Sequence, residues 1–485
     1  MSRPIQVMKF GGTSVGDATR IRSAAAIAAE TSKERAVVMV VSAMSGVTNT
    51  LIAAATKAGA GDESAAETLA RSLQEKHHEA IGKLISDIEK RRELLSEIDT
   101  LIERAANYCR GCAMLGELSP RALDAIAGTG ERLTARMAAA VLREMGHHGV
   151  AFDASELIVT DEVHGGARPL AGPTRTKTLA ALSPVLQDGG IPVVTGYVAA
   201  TAKGIPTTLG RGGSDYSATI LGAALDASEV VIWTDVNGVL TADPRMVPEA
   251  ATLDEVSYIE AGELAFFGAK VLHPMTLRPV VERAIPVWIR NSFEPRLAGT
   301  KITHTVQPTP EGVKAVTATR DVAMIAIAGP GIIGVPDIAA RIFSATASAH
   351  ANIVMISQSS SQDSICFVVQ AADAVRTEQA LRNALYEDVH QHDLEHIKVN
   401  RDVAIVAVVG ENMVGTPGIA GRVFSTLGKE NINIIAIAQG SSEYNISFLV
   451  ESSGMEKAVK ALHQAFGLGK REKSDGTRTV AQVTT

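Results

Sequence analysis

IQVMKFGGTSVGDATRIRSAAAIAAETSKERAVVMVVSAM, residues 5–44, is the stretch whose reading decides the fold. IQVMKF is an apolar run that reads as a buried strand, GGTSVGD as a glycine-rich turn, the segment through about Glu30 as an amphipathic helix, and AVVMVVSAM as a second buried strand. Strand, turn, helix and strand in that order make a βαβ unit, and near-continuous apolar strands need a sheet with helices on both faces. Outward from there, residues from about Glu63 to Arg110 are charged and helix-favouring with almost no glycine or proline, which predicts a helical excursion on the sheet. Strand candidates VAFDA, IPVVTGYV, EVVIWTDV and IPVWIRN then alternate with helical segments. The expected fold class is therefore α/β, a largely parallel sheet in one domain over residues 1–305. THTVQPTPEG, with two prolines and no apolar period, reads as the linker that ends it.

Beyond the linker a repeat runs without gaps at an offset of 81 residues, pairing 326–369 with 407–450. Gly329 matches Gly410, Gly334 matches Gly415, Arg341 matches Arg422, Phe343 matches Phe424, Asn352 matches Asn433, Gln358 matches Gln439 and Phe367 matches Phe448. Each copy reads as strand, glycine turn, helix, strand, tight polar turn, strand, second helix and closing strand, a βαββαβ unit. The two copies are expected over 316–395 and 400–470. Such short sheets leave edges and apolar faces that need cover, so a homodimer or larger assembly through these units is expected.

Composition limits the function. In 485 residues the net charge is −7, the basic residues are scattered, and aromatics make up 4%, so neither a phosphate-backbone footprint nor a base-stacking platform is present and nucleic acid is not an expected partner. MSRPIQVMKFGG has no apolar signal-like region, and no 18-residue apolar run occurs, which predicts a cytoplasmic protein with no membrane association. Cys109 and Cys112 form an isolated C-x-x-C without a second ligand pair, and ordinary reduced thiols are expected there.

Three loops carry candidate chemistry. KFGGTSVG (9–16) puts Lys9 and Phe10 at the end of a strand, Gly11 and Gly12 in the turn, and hydroxyls at a helix start. That suits a phosphate held by backbone N–H groups and a point cation, although a plain strand-to-helix turn reads the same way. TTLGRGGSD (207–215) sets Arg211 among Gly210, Gly212 and Gly213, with Ser214 and Asp215 at the next helix start; the guanidinium fork suits a carboxylate or phosphate, and a solvated arginine is the alternative. WTDVNGVLTADPR (233–245) follows an apolar strand, where α/β folds place ligands, and GAKVLHP (268–274) adds Lys270. Lys9, Arg211 and Lys270 together supply cations for a polyphosphate and an acidic acceptor, as phosphoryl transfer by positioning and charge neutralisation requires.

KFGGTSV, VVSAMSGVTN, TGERL, TTLGRGGSDYSA, WTDVNGVLTADPR and GAKVLHP, in this order, resemble the aspartate kinase signature of the amino acid kinase family, and the tandem repeat resembles the ACT domains that follow in that family. The resemblance implies transfer of the γ-phosphoryl group of ATP, with Mg2+, to L-aspartate, the step from which lysine, threonine and methionine synthesis begin. By motif, the resemblance implies that Lys9 and Asp215 would be catalytic. Lys9, Phe10, Gly11, Gly12, Thr234, Asp235, Leu240, Arg245, Lys270 and Val271 would bind ATP, with Leu240 where the family frequently has tyrosine. Ser42, Thr48, Glu131, Arg211, Gly212, Gly213 and Ser214 would surround aspartate, Arg211 on the α-carboxylate and Glu131 near the ammonium. No direct metal ligands are readable.

GPGIIG (329–334) fits G-x-G-x-x-G, but no acidic residue ends the next strand and the repeat partner reads GENMVG, so a dinucleotide site is not expected. Nor is the dehydrogenase half fused to some relatives expected in a chain of this length. ISQSSSQDSICF and IAQGSSEYNISF resemble the threonine-sensitive enzymes, which assigns an effector to Gln358 and Gln439, threonine favoured and lysine possible. The rivals are another kinase of the same fold, such as one acting on glutamate, and a catalytically silent amino-acid sensor on a kinase scaffold.

Overall fold

The computed structural model describes residues 3–268, 272, 274–307, 309, 312–329, 336–358, 364–390, 394–440 and 443–469. Lys270, Val271, most of the 329–334 turn and residues 359–363 lie outside that set. The chain divides into two compact units: residues 1–239, 252–266 and 270–307 in one, and 240–251, 267–269 and 308–485 in the other.

In the first unit, strands β1 (Ile5–Phe10), β2 (Ala36–Val41), β3 (Gly149–Phe152), β5 (Ile191–Thr195), β8 (Glu229–Thr234), β9 (Glu255–Ser257), β10 (Val287–Asn291) and β11 (Thr300–Thr303) form one sheet in the order β3-β5-β2-β1-β8-β10-β11-β9. All its pairings are parallel except β10 with β11. The apolar runs of β1, β2 and β8 sit in the middle, which is why they carry no polar alternation. Strands β4 (Val159–Thr160), β6 (Val198–Thr201) and β7 (Pro206–Thr208) make a small second sheet.

Helices α1 (Ala18–Thr31), α2 (Val47–Gly59), α3 (Ala65–Leu84), α4 (Ile88–Leu115), α5 (Pro120–Ala127), α6 (Thr129–Glu144), α7 (Ala171–Gln187), α8 (Gly213–Ala224), α9 (Tyr258–Phe266) and α10 (Pro274–Val281) complete this unit. The helical excursion expected from Glu63 to Arg110 is the antiparallel pair α3–α4. Asp87 caps α4 by accepting from the Glu89 and Lys90 N–H groups, and Gly116 ends it at φ +63°. Leu69, Leu73, Leu94 and Ile98 of this pair join Met8, Phe10, Met39, Val41 and Leu133 in one core. No helix among the described residues is long and apolar enough to cross a membrane. Cys109 and Cys112 are free and buried, and burial pushes the Cys109 thiol up to about 11.

The second unit contains β12 (Ala315–Thr319), β13 (Val322–Ala328), α11 (Pro336–Ser348), β14 (Ile353–Gln358), β15 (Ser364–Gln370), α12 (Ala374–Ala384), α13 (Tyr386–His390), β16 (His396–Asn400), β17 (Val403–Val409), α14 (Ile419–Lys429), β18 (Ala436–Ala438), β19 (Asn445–Glu451) and α15 (Met455–Ala465). Its two sheets run β14-β15-β13-β16 and β12-β17-β19-β18. The repeat is reproduced in contacts: Phe343 packs on Phe367 and Phe424 on Phe448, both with centroids 6.2 Å apart. Arg341 donates to the Ala384 carbonyl and Arg422 to that of Ala465, 81 residues on.

The closing strands depart from the sequence expectation. In the first copy β16 closes beside β13, so the copy extends past residue 395 to Asn400. In the second, the place beside β17 is taken by β12, which precedes both copies. The chain after α15 instead forms a bridge between Gly469 and Ala250. β17 needs a partner on that edge whichever segment supplies it, and the upstream strand does.

Nor does the unit boundary fall cleanly at 305. Ala242, Val247 and Ala250 are buried in the core of the second repeat with Val316, Val408, Leu462 and Phe466. The Thr241 hydroxyl lies 2.9 Å from His463 Nε2 of α15, both side chains buried. Loop 240–251 therefore spends its apolar side chains on the second unit although its motif begins in the first.

Candidate active site

The carboxyl ends of β1 and β2 lie side by side, Lys9 level with Val40 and Phe10 with Val41. The chain leaves each strand through a glycine turn, and between these turns and the α8 loop lies a cleft of about 390 Å³. Lys9, Gly12, Ser42, Thr48, Glu131, Gly212, Gly213, Ser214 and Asp215 line it. These residues come from both the phosphate-type loop and the acceptor-type set, and they line one cleft.

Three helices start at the cleft. Gly46 caps α2 at φ +82° and Gly212 caps α8 at φ +71°, left-handed conformations that favour glycine, and neither uses a side-chain cap. The first N–H groups, of Val47 and Gly213, donate to the Met44 and Gly210 carbonyls at 3.0 Å, so those of the next residues, Thr48 and Ser214, are the ones that suit an anion. The third helix, α6, carries Glu131 in its first turn.

Lys9, a buried lysine, forms an ion pair with Asp215. It stands at the end of a strand, between Gly11 and the start of α8; a Cβ on Gly11 would meet the Lys9 ammonium at 3.4 Å, so the turn leaves that group room. The Gly11 N–H donates to the Trp233 carbonyl at 3.1 Å, which fixes the turn to β8. Ser45 Oγ donates to the Gly12 carbonyl at 2.9 Å, and Lys76 of the helical excursion donates to the Ser45 carbonyl at 2.5 Å.

Glu131 is the most perturbed acid of the cleft. Burial pushes its carboxyl up to about 7, opposed by backbone N–H donors at its own position and Ala43 and by the charges of Arg132 and Lys9. Oε1 accepts from the Ala43 N–H at 3.2 Å, whereas Oε2 has no hydrogen-bond partner among the described residues. A buried carboxylate oxygen without a donor is costly, and a cationic ligand group would supply one.

Some expected residues are not gathered here. Arg211 sits at the tip of the α8 loop with its side chain exposed, away from the cleft lining. Thr234 ends β8 and donates to Asp235 Oδ1 at 3.2 Å, with Asp235 exposed. Leu240 and Arg245 belong to the second unit, where the Arg245 guanidinium lies 2.6 Å from Asp243. Gln358 ends β14 and Gln439 follows β18, both exposed at equivalent places. Lys270 and Val271 fall outside the described residues.

Tyr197, Met44 and Asn49 also line the cleft and were not anticipated. Tyr197 has φ +67°, rare for a residue with a Cβ, and its N–H donates to Ser217 Oγ at 3.0 Å. The polar break T-G-Y inside an otherwise apolar strand candidate was the available signal.

The model for the amino acid kinase family matches residues 4–291, which contain the cleft, and the ACT domain model matches 325–385 and 406–466. The chain belongs to the amino acid kinase family. Within that family it is 37% identical over 473 residues to bifunctional aspartokinase/homoserine dehydrogenase 2 of Arabidopsis thaliana, covering 96% of this chain and 51% of the relative. The chain thus spans about half the length of that relative. Aspartokinase 1 of the same plant is 34% identical over 467 residues, covering 95% of this chain and 80% of the relative. Aspartokinase III of E. coli, solved with aspartate and ADP in an R-state, superposes with a TM-score of 0.80 at 30% identity, covering 95% of this chain and 99% of that one. The same enzyme solved with lysine and aspartate in a T-state gives 0.77 at 30% identity, with the same coverage.

Proposed function

We propose that this member of the amino acid kinase family phosphorylates the side-chain carboxylate of L-aspartate with ATP. The observation that carries the reading is the buried Glu131 oxygen without a partner, in one cleft with the Lys9–Asp215 pair. The α-ammonium of an amino acid supplies the missing donor to Glu131. Ser42, Thr48 and Ser214 offer hydroxyls to its carboxylates, and the α8 N-terminus that Gly212 and Gly213 shape offers the Ser214 N–H. Arg211 turns from its exposed position to the α-carboxylate.

In the reaction an acceptor carboxylate oxygen bonds to the γ-phosphorus while the bond to the β–γ bridging oxygen breaks, giving ADP and 4-phospho-L-aspartate. The attacking carboxylate is already ionised, so no base is needed. Catalysis reduces to positioning and countering charge on the phosphoryl oxygens, a part this reading gives to Lys9 and the Gly12 N–H, while the Gly11 N–H stays on the Trp233 carbonyl.

Thr234, Asp235, Leu240, Arg245, Lys270 and Val271 are assigned to ATP on motif grounds. No cluster of three His, Cys, Asp or Glu suited to a metal occurs among the described residues. Asp215, a carboxylate in the cleft beside Lys9, would hold Mg2+, which takes one or two protein carboxylates plus phosphate oxygens and would neutralise phosphate charge.

The product feeds lysine, threonine and methionine synthesis in this reading, in the cytoplasm, under feedback by an amino acid bound near Gln358 and Gln439. The relative from E. coli was solved with lysine; the turn sequences support threonine here. ATP-dependent hydroxamate formation with hydroxylamine tests the activity: a signal with L-aspartate and none with L-glutamate is expected. A signal with glutamate instead overturns the acceptor, and no signal with either leaves a silent sensor.

A further inference from the structure

Asp124 is a buried acid that the reaction above does not use. It lies on α5, which carries no cleft residue, and is 3% exposed. Its carboxylate gathers donors from two other segments. Thr208 Oγ1 donates to Oδ1 at 2.5 Å, His164 Nδ1 lies 2.8 Å from Oδ2, and the Gly165 N–H donates at 3.1 Å to Oδ2 and 3.2 Å to Oδ1.

Both segments lead to the acceptor loop. Thr208 is the last residue of β7, two before Gly210, which lines the cleft, and three before Arg211. Gly165 is the surface on which Gly210 rests: a Cβ on Gly210 would meet the Gly165 carbonyl oxygen at 3.1 Å and the Gly166 Cα at 3.2 Å. The Ala167 N–H donates to the Thr208 carbonyl at 2.9 Å, tying the two segments to each other. Next to Thr208, the Leu209 N–H donates to the Tyr197 carbonyl at 2.9 Å, which ties Tyr197 to the same strand end. One carboxylate thus holds the strand that delivers the loop, the backbone beneath it and, through Thr208, the aromatic wall of the cleft.

We propose that Asp124 is a positioning residue for the amino-acid acceptor, holding the Gly210–Ser214 loop and Tyr197 in register with Glu131. It touches no substrate and acts through Thr208 and Gly165. Held at three points, the loop keeps the α8 N-terminus, with Asp215 paired to Lys9, at a fixed distance from Glu131, which sets the length of acceptor the cleft takes between its ammonium and its reacting carboxylate. This rests on the reading of the cleft as an aspartate site.

The test is steady-state kinetics of the full chain with Asp124→Asn, Thr208→Val and the double variant, beside Arg211→Ala and thermal unfolding of each. Asp124→Asn keeps the shape and removes the charge that holds Thr208 and His164. The KM for aspartate should rise about tenfold or more with that for ATP within about twofold, as expected when a charge-assisted hydrogen bond is lost on one side of a site. Thr208→Val should do the same, and the double variant should be no worse than the poorer single one, since both break one network. Discrimination against L-glutamate should narrow in all three. Equal rises in both KM values, or additive losses in the double variant, overturn the inference; so does a lowered melting temperature with unchanged KM values. If Arg211→Ala raises the KM for aspartate but the Asp124 and Thr208 variants do not, only this inference falls. If wild type makes no hydroxamate with aspartate, the reading of the cleft falls and this inference with it.

Discussion

Replacing Glu131 by glutamine separates stability from function. The carboxyl is held up to about 7 against an ordinary value of 4.5, and burial is the leading cause. Because the folded pKa is raised, the folded chain retains the proton that the unfolded chain releases, and stability falls as pH rises from about 4.5 to about 7. At about 1.4 kcal/mol per pH unit that interval amounts to about 3 kcal/mol in the ligand-free protein above neutrality. Glutamine keeps an oxygen for the Ala43 N–H and cannot ionise. Glu131→Gln should therefore unfold at higher urea than wild type at pH 8, and the two should converge near pH 4.5. Aspartate use should move the other way: with the charge facing the ammonium gone, kcat/KM for aspartate drops roughly 30-fold or more. Urea titrations across pH 4.5–8, paired with hydroxamate kinetics at pH 8, measure both. A variant less stable than wild type at pH 8, or one with an unchanged KM for aspartate, refutes the reasoning.

Arg211 and Lys9 should fail differently. Arg211→Ala, at an exposed loop tip, should change stability by no more than about 0.5 kcal/mol yet lower kcat/KM for aspartate roughly 30-fold; Lys9→Ala should lower kcat about 100-fold or more, and near-normal turnover would exclude it as a catalytic group. Titration with threonine, lysine and methionine should show inhibition by threonine that weakens in Gln358→Ala; inhibition by lysine alone defeats the effector assignment. Ile356 and Ile437, at equivalent positions on edge strands, are 49% and 44% exposed, so sedimentation should show at least a dimer that Ile356→Asp weakens, and a stable wild-type monomer at micromolar concentration contradicts this.

What was legible in the sequence was what local physics dictates, and what was not is what distant segments decide for each other. The strand ending at Lys9 and the turn after it could be read because a buried parallel strand must be apolar and a chain that turns into a helix start needs glycine. Glu131 could be placed by motif, but its orphaned oxygen could not, because its surroundings come from the turn after β2, whose Ala43 N–H reaches Oε1 from 88 residues upstream. Tyr197 escaped because its left-handed backbone violates the local rule that would have flagged it, a strain tolerated where Ser217 and Leu209 fix the peptide on both sides. The second repeat makes the same point at the scale of a domain. Its own sequence contains five of the six elements of the unit, and an apolar β17 with an unpaired edge is satisfied equally by a strand before or after it. Local pattern fixes the need for a partner, while the order of the chain in space chooses which one. Here that choice makes the strand that follows the linker part of the last domain, so the first repeat is an insertion within the second.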